Sequence, residues 1–270
     1  MSKTISAAAN PAMANKLLDK ALNEEIVTPI EPTIFLPSDN TVELPGGYLS
    51  ATGEVIRTAE VREINGKDEE AISKTNNVGK ALFTILQRCT VKIGDKQVTE
   101  QTLDQLLAGD RDTLLLAILK VTFGSTPKVA TFCDGCQETK EVLVDINQDI
   151  KFKVLTNPIE DRVFTVRGKA GEILVQLPNG VAQKALVNNA DKTAAELATI
   201  LLENTVLKIN DNPVYSKTQV QNLSIVDRRK IIEAIEERAF GPQFELQKTE
   251  CPDCGSEVSV PVTLDSLFQF

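Results

Sequence analysis

Apolar positions in the chain fall into a few clear periods. Leu17, Leu18, Ala21, Leu22 and Ile26 share one helical face behind Asn10 and Pro11, which predicts an amphipathic helix ended by Pro29 and Pro32. That pattern serves equally a helix packed on its own domain and a partner-binding arm. From residue 33 the text becomes strand-like and loop-rich: TIFLPS, a turn at LPGGYL, then the partly alternating EVIRTAEVREI. Asp68-Glu69-Glu70 marks a short helix with a solvated face, since carboxylates are favoured in a first turn; a metal or acid/base cluster is the less economical reading of the same three acids. Cys89 falls on an apolar helix face with Leu82, Ile85 and Leu86 and reads as a buried thiol.

A longer helix begins near Asp110, runs through Leu115, Ile118 and Leu119, and stops at Gly124. The same signature returns at Asp227, with Ile231, Ile232, Ile235 and Gly241. The two Asp residues are expected as N-caps, because every helix start leaves backbone donors open. This recurrence is one of three. TILQRCTV from Thr84 returns as TILLENTV from Thr199, GDRDTLLLAILKVTFG as VDRRKIIEAIEERAFG, and TFCDGC as TECPDC, in the same order and with small insertions between blocks. The chain therefore reads as two related halves, residues 33–150 and 151–270, behind an arm over residues 1–32.

Composition narrows the chemistry. A 270-residue chain with 42% hydrophobic and 25% charged residues can bury a real core. Its net charge of -9, without any basic block, argues against binding nucleic acid through phosphate neutralisation. No apolar run is long enough to span a bilayer, and no hydrophobic signal segment opens the chain, so use in a reducing cytosol is expected. With no histidine, the Ser-His-Asp triad, the Cys-His nucleophile and imidazole-based hydrolytic zinc sites are excluded. With no tryptophan and 4% aromatic residues, a base-stacking platform is disfavoured. The expectation is a protein that is not an enzyme.

The cysteines carry the remaining chemistry. Cys133 and Cys136 sit between PKVATF and ETKEVLVDI, and Cys251 and Cys254 between QFELQKTE and SEVSVPVTL, so both pairs belong to tight turns of strand hairpins rather than to the helix start of a thioredoxin-type site. Such a turn frees backbone amides to bond thiolates, with Gly135, Pro252 and Gly255 supplying its chemistry, glycine for positive φ and proline for a fixed one. One pair gives two ligands, whereas structural zinc takes four in a tetrahedron. Two pairs at equivalent places complete the set if the halves face each other about a pseudo-twofold axis. The expected fold class is thus α+β: two homologous halves, each with strands, a small helical bundle and a zinc-knuckle β-hairpin, joined by one structural Zn2+ per chain on Cys133, Cys136, Cys251 and Cys254. Two unrelated reduced pairs without metal are the bland alternative.

The run LPGGYL, the acidic DEEAIS, LQRC, LLAGDRDTLLLAI, the Phe-Gly stop and the first cysteine pair resemble the T-even-phage baseplate hub assembly protein family of contractile-tailed bacteriophages. The resemblance covers about residues 33–145 and extends more weakly to DRRKIIEAI and CPDCG. One departure is Gln137, where that family often has Gly after the second cysteine. What it implies is a non-enzymatic protein of the tail baseplate, built into the hub or acting as a chaperone during its assembly. Its partners would be other phage tail or hub proteins, with no nucleic acid and no membrane, and its places the virion baseplate and, during assembly, the host cytoplasm. For that role the arm and the terminal LDSLFQF are partner-binding candidates, although a final strand of the second zinc hairpin is the expected role of the terminus. A redox-controlled zinc-binding chaperone uses the same four cysteines. A zinc-ribbon transcription adaptor is disfavoured by Asp134, Glu138, Glu250 and Asp253, which would repel DNA.

Overall fold

A computed structural model describes residues 40–269, which lie in one compact unit spanning residues 37–270. The helix expected over residues 10–26, the TIFLPS segment and Phe270 lie outside the described residues.

The chain opens with β1 (Thr41–Leu49) and β2 (Val55–Val61), then α1 (Gly66–Ile72), α2 (Val78–Cys89), β3 (Thr90–Ile93), β4 (Lys96–Gln97), α3 (Glu100–Gln105) and α4 (Ala108–Phe123). A hairpin of β5 (Lys128–Cys133) and β6 (Glu138–Leu143) and a short α5 (Ile146–Asp149) close this stretch. After β7 (Lys151–Lys153) and a 3-10 turn (Glu160–Arg162) come β8 (Val163–Gly168), β9 (Gly171–Gln176), α6 (Gly180–Val187), α7 (Ala194–Thr205), β10 (Val206–Ile209), β11 (Asn212–Pro213), α8 (Lys217–Gln221) and α9 (Ile225–Glu237). Then follow β12 (Gly241–Gln243), the hairpin of β13 (Leu246–Glu250) and β14 (Glu257–Pro261), and α10 (Leu264–Phe268). Two antiparallel four-stranded sheets result, in the orders β1-β2-β3-β4 and β11-β10-β9-β8, while β7 pairs with β12.

Most helix starts are capped as their sequences dictate: Asn65, Asn77, Thr99, Asn179, Thr193 and Ser224 each accept from an amide of the first turn. Asp110 and Asp227 are not caps. Each sits two residues inside its helix and turns its carboxylate to backbone elsewhere, Asp110 to the interior of β1 and Asp227 to the turn after β8. Asp110 Oδ1 accepts from the amides of Gly46 (2.7 Å) and Gly47 (3.1 Å), and Asp227 accepts from Lys169 (2.7 Å) and Ala170 (3.1 Å). Ser224 caps α9 instead, and α4, which follows Leu107, is tied at its start by a β-bridge between Leu107 and Asn179. An acid in the first turn carries nearly the same sequence signature as a cap, so the sequence alone does not separate the two.

LPGG is likewise not a hairpin turn. It lies within β1 as an irregularity between Glu43 and Tyr48, and the turn proper spans Ser50 to Glu54. Gly46 admits no side chain there: a Cβ would lie 2.6 Å from Phe240 and 2.7 Å from Asp110 Oδ2. From the carbonyl side, Arg162 donates to both Gly46 and Gly47.

The core is lopsided. The main cluster gathers Leu44, Ile85, Leu114, Ile118 and Leu119 with Val129 and Ile146 around the first hairpin, and also Val260, Val262, Leu267 and Phe268 from the end of the chain. A smaller cluster built on Ile173, Val175, Leu202 and Ile231 serves the second sheet alone. Both hairpins therefore rest on the first body, which departs from two equivalent halves facing each other. Among the described residues the terminal segment forms a helix, Leu264–Phe268, and no strand. Thr263 and Ser266 form a capping box that starts α10, and Leu267 and Phe268 are buried.

Asp68 is buried, not part of a solvated face; Arg62 (2.6 Å) and Arg88 (2.6 Å) bond it and hold its carboxyl well below the usual carboxylate range. Asp110 goes the other way. Burial pushes it up to about 6 despite the Gly46 and Gly47 amides and the charges of Arg162 and Arg57, and its Oδ2 has no hydrogen-bond partner. A carboxyl that titrates higher folded than unfolded binds protons more tightly in the native state, so its contribution is full below the unfolded value and fades as pH rises through about 6. Denaturant unfolding of the wild type and Asp110→Asn at pH values from 4 to 7 is therefore expected to show the wild type losing on the order of 2 kcal/mol relative to the variant as pH rises. Parallel curves would show that Asp110 does not titrate in this window.

Candidate metal centre

The alternation along β5 buries Val129, Thr131 and Cys133 and exposes the residues between them. Cys133 thus points inward at the end of its strand, and the chain turns at once: the amide of Gln137 donates to Cys133 O at 2.8 Å. The second hairpin repeats the geometry, with the amide of Gly255 donating to Cys251 O at 2.9 Å. Gln137 and Gly255 occupy equivalent places, and both have positive φ, 57° and 72°. That explains the departure noted at Gln137: the position calls for a left-handed residue, which glycine adopts most easily. Gly135 has no positive φ. It is needed for space, since a Cβ would lie 2.5 Å from Ser256 Oγ and 3.0 Å from Cys254 Sγ.

The two hairpins lie side by side. Thr131 Oγ1 donates to Ser259 O (2.9 Å), and Lys140 of β6 reaches Asp253 (2.7 Å) in the opposite turn as well as Glu138 (2.5 Å). Val258 packs with Cys133 and Cys251 to make the floor of the site.

This docking brings four sulfurs together. Cys133 and Cys254 are 3.6 Å apart, Cys136 and Cys251 3.8 Å, and all four Sγ atoms lie within 4.8 Å of one another, as a group that could hold a metal ion. A disulfide would need about 2.05 Å. A tetrahedral site with Zn–S bonds of about 2.3 Å sets its sulfurs ~3.8 Å apart, which these spacings fit. Access is graded: Cys133 and Cys251 are buried, Cys136 half-buried and Cys254 exposed.

Electrostatics separates the thiols. The hydroxyl and amide of Ser256 lower Cys254 to about 6, with Ser256 Oγ 3.3 Å from the sulfur. The neighbouring Cys254 sulfur and burial push Cys136 up to about 12. Cys133 is also raised: the Cys136 amide pulls it down, but burial and the Cys251 and Cys254 sulfurs prevail. Four thiols this close cannot all ionise unaided, and a divalent cation bound among them would resolve the conflict.

Cys89 takes no part. It is buried on α2, burial pushes it up to about 12, and its sulfur lies 3.8 Å from Asp68 Oδ2. Sequence reasoning missed Ser256, Thr131 and Lys140. A hydroxyl two residues past the last cysteine was the only available signal, and the other two depend on how the hairpins dock.

A family model described as T4 bacteriophage base plate protein matches residues 36–269. The chain belongs to this family. No curated protein and no solved structure matches it. The base plate family match spans both hairpins and all four cysteines, and so takes in the first-half motifs as well as DRRKIIEAI and CPDCG.

In this base plate protein Gly135→Ala is expected to force the two turns apart, so that zinc loaded onto it in vitro is lost to a chelator about ten-fold faster than from the wild type loaded in the same way. Gln137→Gly, which relieves a left-handed residue, is expected to retain metal at least as well as the wild type. A colorimetric release assay reads both, and equal rates for Gly135→Ala and the wild type would show that the close approach is dispensable.

Proposed function

We propose that the protein is a non-enzymatic structural or assembly component of the phage tail baseplate hub, made of two homologous halves and stapled by one structural zinc on Cys133, Cys136, Cys251 and Cys254. The observation that carries the reading is the four-sulfur cluster, built from two hairpins distant in sequence, in a chain of the base plate family. A sulfur-only tetrahedral donor set suits zinc or iron, and closing a long loop with a metal adds folding free energy.

The recurrence of elements supports the two halves. The order from β1 to α5 returns from β8 to α10, interrupted only by β12. Asp110 and Asp227 each bond two consecutive backbone amides, Asp110 through Oδ1 alone and Asp227 through both oxygens. Asn65-Gly66 and Asn179-Gly180 both open the first helix after a hairpin.

The buried acids favour scaffold over catalyst, because Asp68, Asp110 and Asp227 hold arginines or backbone amides of their own chain. Partners are other baseplate or tail proteins, met in the host cytoplasm and carried into the virion. A redox-controlled chaperone is the second reading, favoured by the exposure of Cys254 beside buried Cys133.

Native mass spectrometry of the recombinant protein is expected to show one zinc per chain, absent from both Cys133→Ser and Cys251→Ser. Metal that survives either variant would overturn the shared site. Mild peroxide is expected to leave the zinc bound, and its release with disulfide formation would favour the redox chaperone. Quantitative proteomics of purified virions and infected-cell lysate is expected to find the chain in virions or in hub intermediates; absence from both would remove the baseplate role.

A further inference from the structure

The contact between the two halves is one-sided. In the first half, the link from α3 to α4 is covered. Leu106 and Leu107 are buried, the amide of Ala108 donates to Pro178 O (2.9 Å), and the amide of Gly180 donates to Leu106 O (2.9 Å). A Cβ on Gly109 would lie 2.3 Å from Phe240 O. The second half thus offers two contact points to this face, Asn179-Gly180 and Phe240-Gly241.

Each contact point has a counterpart in the first half. Asn65-Gly66 opens α1 as Asn179-Gly180 opens α6, and Phe123-Gly124 matches Phe240-Gly241, with φ of 89° and 86° at the two glycines. The counterparts adjoin, since the amide of Ile64 donates to Thr122 Oγ1 at 3.1 Å. They are also uncovered among the described residues: Asn65 and Gly66 are exposed, and Phe123 is 61% exposed where Phe240 is 8%. The receiving face has an uncovered counterpart too. Leu223–Val226, at the start of α9, corresponds to Leu106–Gly109, and there Ile225 is 68% and Val226 42% exposed.

We infer that a second copy of this chain covers that face, the corner of Asn65-Gly66 and Phe123 on one copy seating against Ile225 and Val226 of the next. The inference rests on the two-repeat reading above. Its template is the contact inside the chain, of which one end of each kind is left over. Charge agrees on balance: Glu63, Glu69 and Glu70 outnumber Lys67 among the exposed charges beside the corner, and Arg229 and Lys230 are exposed beside the face. The copy is not atom for atom. Ile225 and Val226 stand where Ala108 and Gly109 admit the Phe240 backbone, so the Phe123 ring meets side chains instead. A contact between two different patches is heterologous, and it builds a ring if the rotation closes and a filament if it does not.

Sedimentation equilibrium of the full zinc-loaded chain tests this with Phe123→Asp, which blocks the corner, and Val226→Asp, which blocks the face. Both positions are exposed, and circular dichroism checks that both variants fold. The wild type is expected to exceed the mass of two chains with rising concentration, and each variant alone to stay at one. An equal mixture of the variants is expected to stop at two, because it keeps one intact corner and one intact face. A monomeric wild type, variants that assemble as the wild type does, or a mixture that stays at one chain would each overturn the proposal. The metal count of the cysteine variants does not depend on association, so a monomer would leave the two-repeat reading standing.

Discussion

Everything in the first body is arranged around the carboxylate of Asp110 and the two glycine amides it collects. A carboxylate inside a core is tolerable only when its charge is answered by donors. Here the answer comes from a strand, through the Gly46 and Gly47 amides, while Arg162 takes the carbonyls of the same two residues. The knot joins β1, α4 and the start of the second half in one place. It accounts for Gly46, where a Cβ would meet both Phe240 and the carboxylate, while Gly47 answers to a positive φ beside Val55. Around it lie β1, the second half and α10, with little surface left for water.

Much of this was legible in the sequence, for reasons that can be named. The hairpins with their cysteine turns were visible because β-branched alternation and turn residues flank each pair. The stop of α4 at Gly124 followed from glycine's ease at positive φ. The recurring blocks mark elements that do recur in the same order. What stayed hidden depends on tertiary docking. An aspartate two residues into a helix and one at its cap look alike until its acceptor geometry is known, and LPGG reads as a turn unless one knows that Phe240 and Asp110 crowd it. The terminal LDSLFQF carried apolar residues at both strand and helix spacing, and the Thr263 to Ser266 box decided for the helix.

The site was legible in its ligands and illegible in its surroundings. Four cysteines in two hairpin turns, without a histidine in the chain, leave few other uses. That the turns would meet through Thr131, Lys140 and Ser256, and that Gly135 serves closeness rather than turn conformation, depends on two hairpins lying side by side. The sulfur pairing is reciprocal, the first cysteine of one turn beside the second of the other. The bodies that carry the hairpins are not. Local symmetry at the site coexists with an asymmetric molecule because both hairpins settled on the same core.

That asymmetry bears on the order in which the molecule can form. Val260, Val262, Leu267 and Phe268 complete a core whose other members begin at Val42. On a ribosome the strands and helices of the first body emerge long before β14 and α10, and until those arrive the face of α4 that α10 covers lacks that cover among the described residues. The second body, whose smaller cluster needs no residue from either hairpin, can close first. Domains usually fold in the order of synthesis. In this chain the part made first finishes last, and a nascent chain with α4 bare is the species most in need of a protective companion in the cell.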